Sequence, residues 1–209
     1  MGPAVGVVAA PANGAFATEL SGTTVSFDGV AAPIFYTSAT QVNSVVPYAV
    51  SGATTNVTVA YQGQISSSFA VNVNASSPGF FTYNGTGAGE AAAINANFAT
   101  FNTAANPVKI GDYITLFATG EGQTTPAGVD GKLATIPLPS PNLAVSATVD
   151  GIPAFVQYKG GAFGSVAGLM QLNLLIPAGV KPGGYVPVTL QVGSASTVDG
   201  AVWIAVAAN

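Results

Sequence analysis

Val25-Ser26-Phe27-Asp28-Gly29-Val30-Ala31-Ala32-Pro33-Ile34-Phe35-Tyr36 and Ala147-Thr148-Val149-Asp150-Gly151-Ile152-Pro153-Ala154-Phe155-Val156-Gln157-Tyr158 are two versions of one segment. Each reads as a strand, an Asp-Gly turn and a second strand. Asp-Gly signals a tight hairpin because both residues tolerate positive φ. The likeness continues downstream. Gln41-Val42-Asn43-Ser44-Val45-Val46-Pro47 matches Gln171-Leu172-Asn173-Leu174-Leu175-Ile176-Pro177, and a glycine, Gly63 or Gly193, follows at the same distance from each glutamine. Agreement in residues, order and spacing makes this an internal repeat of one β unit.

The surrounding pattern is strand-like. Thr54-Thr55-Asn56-Val57-Thr58-Val59-Ala60-Tyr61, residues 67–73, residues 113–118 and residues 186–192 alternate apolar with polar side chains. No segment sustains a 3.6-residue period, and Ala91-Ala92-Ala93-Ile94 is too short and glycine-flanked for a helix. With 26 glycines and 14 prolines as punctuation, the expectation is an all-β chain of two tandem immunoglobulin-like β-sandwiches with little or no helix. Ser76-Ser77-Pro78-Gly79 is the expected joint, dividing the chain into residues 1–77 and a larger domain of residues 78–209.

Composition removes whole classes of chemistry. The 209 residues include four lysines, no arginine, no histidine and no cysteine, and charged residues make up 6%, against roughly 25% in ordinary soluble domains. Histidine-dependent triads, imidazole metal sites, thiol nucleophiles and disulfides are all excluded. Four cations and a net charge of −4 cannot neutralise a phosphate backbone, so nucleic acid is not expected as a partner. Mean hydropathy is +0.50, yet no apolar run is long enough for a membrane-spanning helix. The first eleven residues lack a basic leader. The expectation is a non-enzymatic, cofactor-free protein, secreted to the cell surface, whose export signal is absent from this chain.

The repeated motifs also carry a resemblance. Asp28-Gly29-Val30-Ala31-Ala32-Pro33-Ile34-Phe35-Tyr36, then Gln41 to Tyr48, then Ser76-Ser77-Pro78-Gly79-Phe80-Phe81-Thr82 resemble a module at the C-terminal ends of acidobacterial surface proteins, the Solibacter C-terminal domain. Asn106-Pro107, Gly111 to Gly120 and Ile176 to Gly183 extend the likeness, which runs from about Thr23 onward. The resemblance implies two halves of IPT/TIG type. It implies no catalytic residue, because that family carries none to transfer.

The two copies differ at their starts. Copy two has an apolar strand, Ile110 to Gly120, well upstream of Asp150, whereas nothing comparable precedes Asp28. A sandwich missing a strand leaves backbone groups unpaired and apolar side chains uncovered. The candidate to fill that place is Pro3 to Ala10, in which Val5, Val7 and Ala9 alternate on one face and Val8 lies on the other, with residues 11–15 as a tether. Three arrangements stay open: donation of this strand to a second copy, pairing within its own domain, or a frayed or truncated end. Donation would make the partner the protein itself, polymerised into an extracellular filament or surface layer.

Other chemistry is weighed against plainer readings. Glu90, Asp112 and Glu121 are the candidate carboxylate pair of a glycosidase, read here as solvated turn residues. Asp130 is the acid considered for calcium and Lys109 beside Asp112 for a side-chain crosslink. Phe80, Phe81, Tyr83, Tyr158 and Trp203 form a candidate platform for surface glycans. For Phe80, Phe81 and Tyr83, packing between the domains is the favoured role. Asn56, Asn74 and Asn84 head N-x-Ser/Thr sequons that accept glycans only in a glycosylating secretory context.

Overall fold

The computed structural model describes residues 1–96 and 100–208, which form strands and turns without any helix. Among them there is accordingly no helix long and apolar enough to cross a membrane. The sheets are arranged as sandwiches. Two compact units emerge: Met1–Asn74 with Ala127–Pro137 and Phe163–Ala167, and Ala75–Pro126 with Leu138–Ala162 and Gly168–Asn209. Where the sequence suggests one crossing after residue 77, the chain leaves the first unit after Asn74 and returns to it twice. Backbone pairing draws the returning segments in. The Leu133 amide donates to the Gly14 carbonyl at 2.8 Å, the Phe16 amide to Gly131 at 2.8 Å, and Leu133 bridges Val166.

The first unit contains β1 (Val7–Val8), β2 (Glu19–Leu20), β3 (Thr23–Phe27), β4 (Val30–Ala31), β5 (Ile34–Thr37), β6 (Val42–Ser44), β7 (Thr54–Tyr61), β8 (Gln64–Ile65) and β9 (Phe69–Asn72). One sheet runs β2-β3-β7-β8, with β4 on β3 and β9 on β7; the other runs β1-β5-β6. Alternation along β3 sends Thr23, Val25 and Phe27 inward. They meet Ala32 and Ile34, with Leu20, Val42, Val50, Val57 and Val59 partly buried around them.

The second unit contains β10 (Gly79–Phe80), β11 (Gly89–Glu90), β12 (Ala93–Asn95), β13 (Val108–Lys109), β14 (Tyr113–Thr119), β15 (Thr124–Thr125), β16 (Ser140–Pro141), β17 (Val145–Val149), β18 (Ile152–Gly161), β19 (Met170–Leu175), β20 (Gly183–Val192), β21 (Ala195–Ser196) and β22 (Val202–Ala207). Its main path is β10-β14-β19-β18-β17-β20-β22-β11. The alternating residues Met170, Leu172 and Leu174, Val188 and Leu190, and Ile204 are fully buried in a single core with Ile114 and Leu116.

The sequence repeat recurs in the backbone. Asp28 and Asp150 both have positive φ, 47° and 54°, and each is followed by a positive-φ glycine. The Asp28 amide donates to Asn56 at 2.9 Å and the Asp150 amide to Pro187 at 2.8 Å. Phe27 pairs with Val57 as Val149 pairs with Val188. A register shift falls between Ile34 and Tyr36 in one unit and between Val156 and Tyr158 in the other. The strands β3, β5, β6, β7 and β9 therefore correspond to β17, the latter half of β18, β19, β20 and β22.

Candidate functional site

That correspondence shows where the two units differ among the described residues. In the second unit β19 is bordered by β18 on one side and β14 on the other, where Ile114 faces Leu174 and Leu116 faces Leu172. In the first unit β6 pairs with β5 and with no other strand among the described residues. Similarly, β22 is flanked by β20 and, in parallel, by β11 and β13, whereas among the described residues β9 pairs with β7 alone. Two strand edges are bare.

The side chains next to those edges are uncovered too. Val46, at the place of Ile176, is 54% exposed where Ile176 is 1% exposed. Phe69 is 71% exposed where Val202 is 2% exposed. Val71 is exposed where Ile204 is fully buried, and Val42 is half-buried where Leu172 is fully buried. Phe69 and Val71 pair with Val57 and Thr55 and so point to the inner face of their sheet. They are core positions without a cover. Protected edge strands usually carry a lysine, another charge or a proline. Here no charged side chain occurs between Asp28 and Glu90.

The N-terminal arm does not supply the cover within the chain. It pairs antiparallel with β5, Val7 opposite Thr37 and Val8 opposite Tyr36, on the edge of β5 opposite to β6. The Ala9 amide adds a bond to Phe35 at 2.7 Å. Val7 and Ala9 are half-buried, while Val5 and Val8 stand exposed. Beyond the arm, Phe16 packs edge-on against Phe35 at 4.6 Å between centroids, which anchors the chain at that point.

Asn56, Asn74 and Asn84 are exposed. The Asn56 side-chain amide donates to Asp28 at 3.0 Å, and that of Asn84 to the Ala88 carbonyl at 2.9 Å. Phe80 is buried in the second unit's own core, whereas Phe81 and Tyr83 are exposed. Tyr83 meets Phe101 edge-on at 5.9 Å, and Tyr185 tilts over Trp203 at 5.5 Å. Tyr158 donates its hydroxyl to the Gly161 carbonyl at 2.8 Å. Lys109 and Asp112 are both exposed and share a backbone turn, so the dry contact a crosslink needs is not built there. Asp130 accepts the Tyr48 amide at 2.8 Å. Glu90 is half-buried beside Tyr83, whose hydroxyl is pushed up by burial and by the Glu90 charge.

Glu121 overturns the expectation of a solvated turn. It is 2% exposed, and neither carboxylate oxygen has a hydrogen-bond partner. Gly120 and Gly122 on either side have positive φ, and a Cβ on them would collide with the carbonyl oxygens of Ser77 and Ala75. The 75–77 backbone thus closes over the loop and turns the one side chain between the glycines inward. Burial without a partner raises the carboxyl to about 7.

No protein-family model, no curated protein and no solved structure matches this chain.

Proposed function

We propose that this is a non-enzymatic extracellular structural protein, built from two immunoglobulin-like sandwiches of IPT/TIG type, that assembles with copies of itself into a filament or surface layer. The observation that carries the reading is the bare, uncharged strand edge of the first unit beside exposed core-type side chains. Each valine-sized side chain covered on assembly contributes about 1.5–3 kcal/mol, and each backbone hydrogen bond completed at the edge adds about 0.5–1.5 kcal/mol. A surface with so few charges offers little repulsion between copies. Negative-stain microscopy with sedimentation of the purified chain tests this. Long assemblies that grow with concentration are expected; a single-copy species at every concentration would remove the reading.

A second reading, a surface adhesion module that binds glycans, draws on the exposed Tyr185 over Trp203 and on Tyr83 against Phe101. These pairs lie on elements that border β11, since the Tyr83 amide donates to Glu90 and Glu90 pairs with Trp203. Exposed aromatic faces of this kind can stack on sugar rings. Loss of glycan-array binding in Tyr185→Ala, with assembly unchanged, would favour this module.

A further inference from the structure

We infer that the bare edge of β6 is a receptor for one particular strand, residues Val5 to Ala9 of a second copy of this chain, seated as β14 is seated on β19. The inference rests on the assembly reading above and gives it a register. Inward residues of β14 are Ile114, Leu116 and Ala118, in the order large, large, small. The arm repeats that order in smaller form as Val5, Val7 and Ala9. Transferring the pairing of Ile114 with Leu174 and Leu116 with Leu172 places Val5 opposite Ser44 and Val7 opposite Val42. The smaller residues of β6, Val42 and Ser44 in place of two leucines, leave the incoming strand room.

Charge agrees with the assignment. The receptor lies in the stretch without any charged side chain, and the chain from Met1 to Thr18 has none either. Burying a charge in such a face would be costly. The arm's hold on its own unit is short, two residue pairs with β5, the Ala9–Phe35 bond and close approaches of Gly2 to Ser38 and of Gly6 to Tyr36, and it leaves Val5 and Val8 in solvent. Freed as far as the anchor at Phe16, ten extended residues reach about 33 Å, enough to cross to a neighbouring molecule. The exchange trades a short edge pairing in one chain for a covered position in the next, which is the logic of strand addition.

The register makes a sharp test, because the chain has no cysteine of its own. Within one chain Val7 pairs with Thr37 and Thr37 with Val42. Val7 and Val42 are therefore two strand spacings apart, about 9.6 Å, beyond the reach of a disulfide. Across copies the proposed pair sits at about 5.5 Å between Cα atoms, within reach. Oxidised V7C/V42C protein is expected to run as a ladder of covalent multimers that collapses on reduction. The V8C/Y36C pair, which locks the arm on its own β5, is expected to hold the protein as single copies until reductant is added. Should the cysteine pairs disturb folding, Val46→Asp, at an exposed position, is expected to raise the concentration needed for assembly at least tenfold. Assemblies that form without a V7C/V42C ladder, or that persist in oxidised V8C/Y36C protein, would overturn the strand assignment and leave the assembly reading standing. Single copies of the unmodified chain under all conditions would overturn both.

Discussion

Phe69 and Val202 hold the same place in two copies of one strand, yet Phe69 is 71% exposed and Val202 is 2% exposed. The partner strand is not the cause. Phe69 pairs with Val57 on β7 in the register that the repeat dictates. What differs is the cover: β14 borders β19 in the second unit, and among the described residues no strand holds the equivalent place beside β6 in the first.

Truncation should cost very different amounts at equivalent positions. Ile176→Ala empties a packed site and is expected to cost about 2–5 kcal/mol. Val46→Ala, in dilute protein, should stay within about 0.5 kcal/mol, as an exposed side chain does. Urea midpoints of the two variants, with unchanged slopes, check the difference.

Removal of residues 1–12 should abolish long assemblies while leaving the two cores intact. The arm contributes one strand pairing of two residue pairs and half-buried side chains to its own unit, so loss of stability should be small. Microscopy and thermal unfolding of the same preparation separate the effects; unchanged fibres would contradict the role of the arm.

Glu121 predicts a pH dependence with a definite sign. Its carboxyl ionises near 4.5 in the unfolded chain and near 7 in the folded one. Between those values the folded state holds a proton that the unfolded state has released. The contribution of Glu121 to stability is therefore greatest below pH 4.5 and falls by about 1.4 kcal/mol per pH unit up to pH 7. The total is on the order of 3 kcal/mol, and the curve flattens above pH 7. Glu121→Gln should remove this slope, as read from denaturation midpoints at pH 4.5, 6 and 8. A variant with the same slope as the parent would show that Glu121 is hydrated.

At the hairpins, Gly151→Ala should destabilise by about 1–2 kcal/mol, because Gly151 has a φ of 72° with open space around it. The penalty is purely conformational. Asn at this position, which tolerates the left-handed region, should recover most of the loss.

Legibility followed the range of the interactions. The Asp-Gly hairpins were readable because positive φ at Asp28 and Asp150 is a local property of two residues. Strand β7 was readable over its full length because alternation is local as well. The missing neighbour of β6 was suggested by what precedes Asp28 and Asp150, since a repeat lets one copy serve as a ruler for the other. The resting place of the arm on β5 was not readable, because Val5, Val7 and Ala9 alternate equally well against any edge. The burial of Glu121 depends on the 75–77 backbone, which lies far from Gly120 in sequence; the flanking Gly120 and Gly122 that it requires read equally as an ordinary exposed turn. The returns at Ala127–Pro137 and Phe163–Ala167 were equally silent, for they join the first unit through backbone hydrogen bonds, the Asp130–Tyr48 bond and small residues packed on Tyr48 and Pro33, none of which shows as a periodic apolar pattern.

The most direct test is residue-resolved amide hydrogen exchange over Val42–Val46, compared between dilute single copies and concentrated protein. If a strand from another copy fills the open edge, these amides should exchange rapidly when dilute and become protected by at least a hundredfold on assembly. Equal, rapid exchange in assembled protein would mean that the edge of β6 stays open and that copies join, if they do, by some other surface.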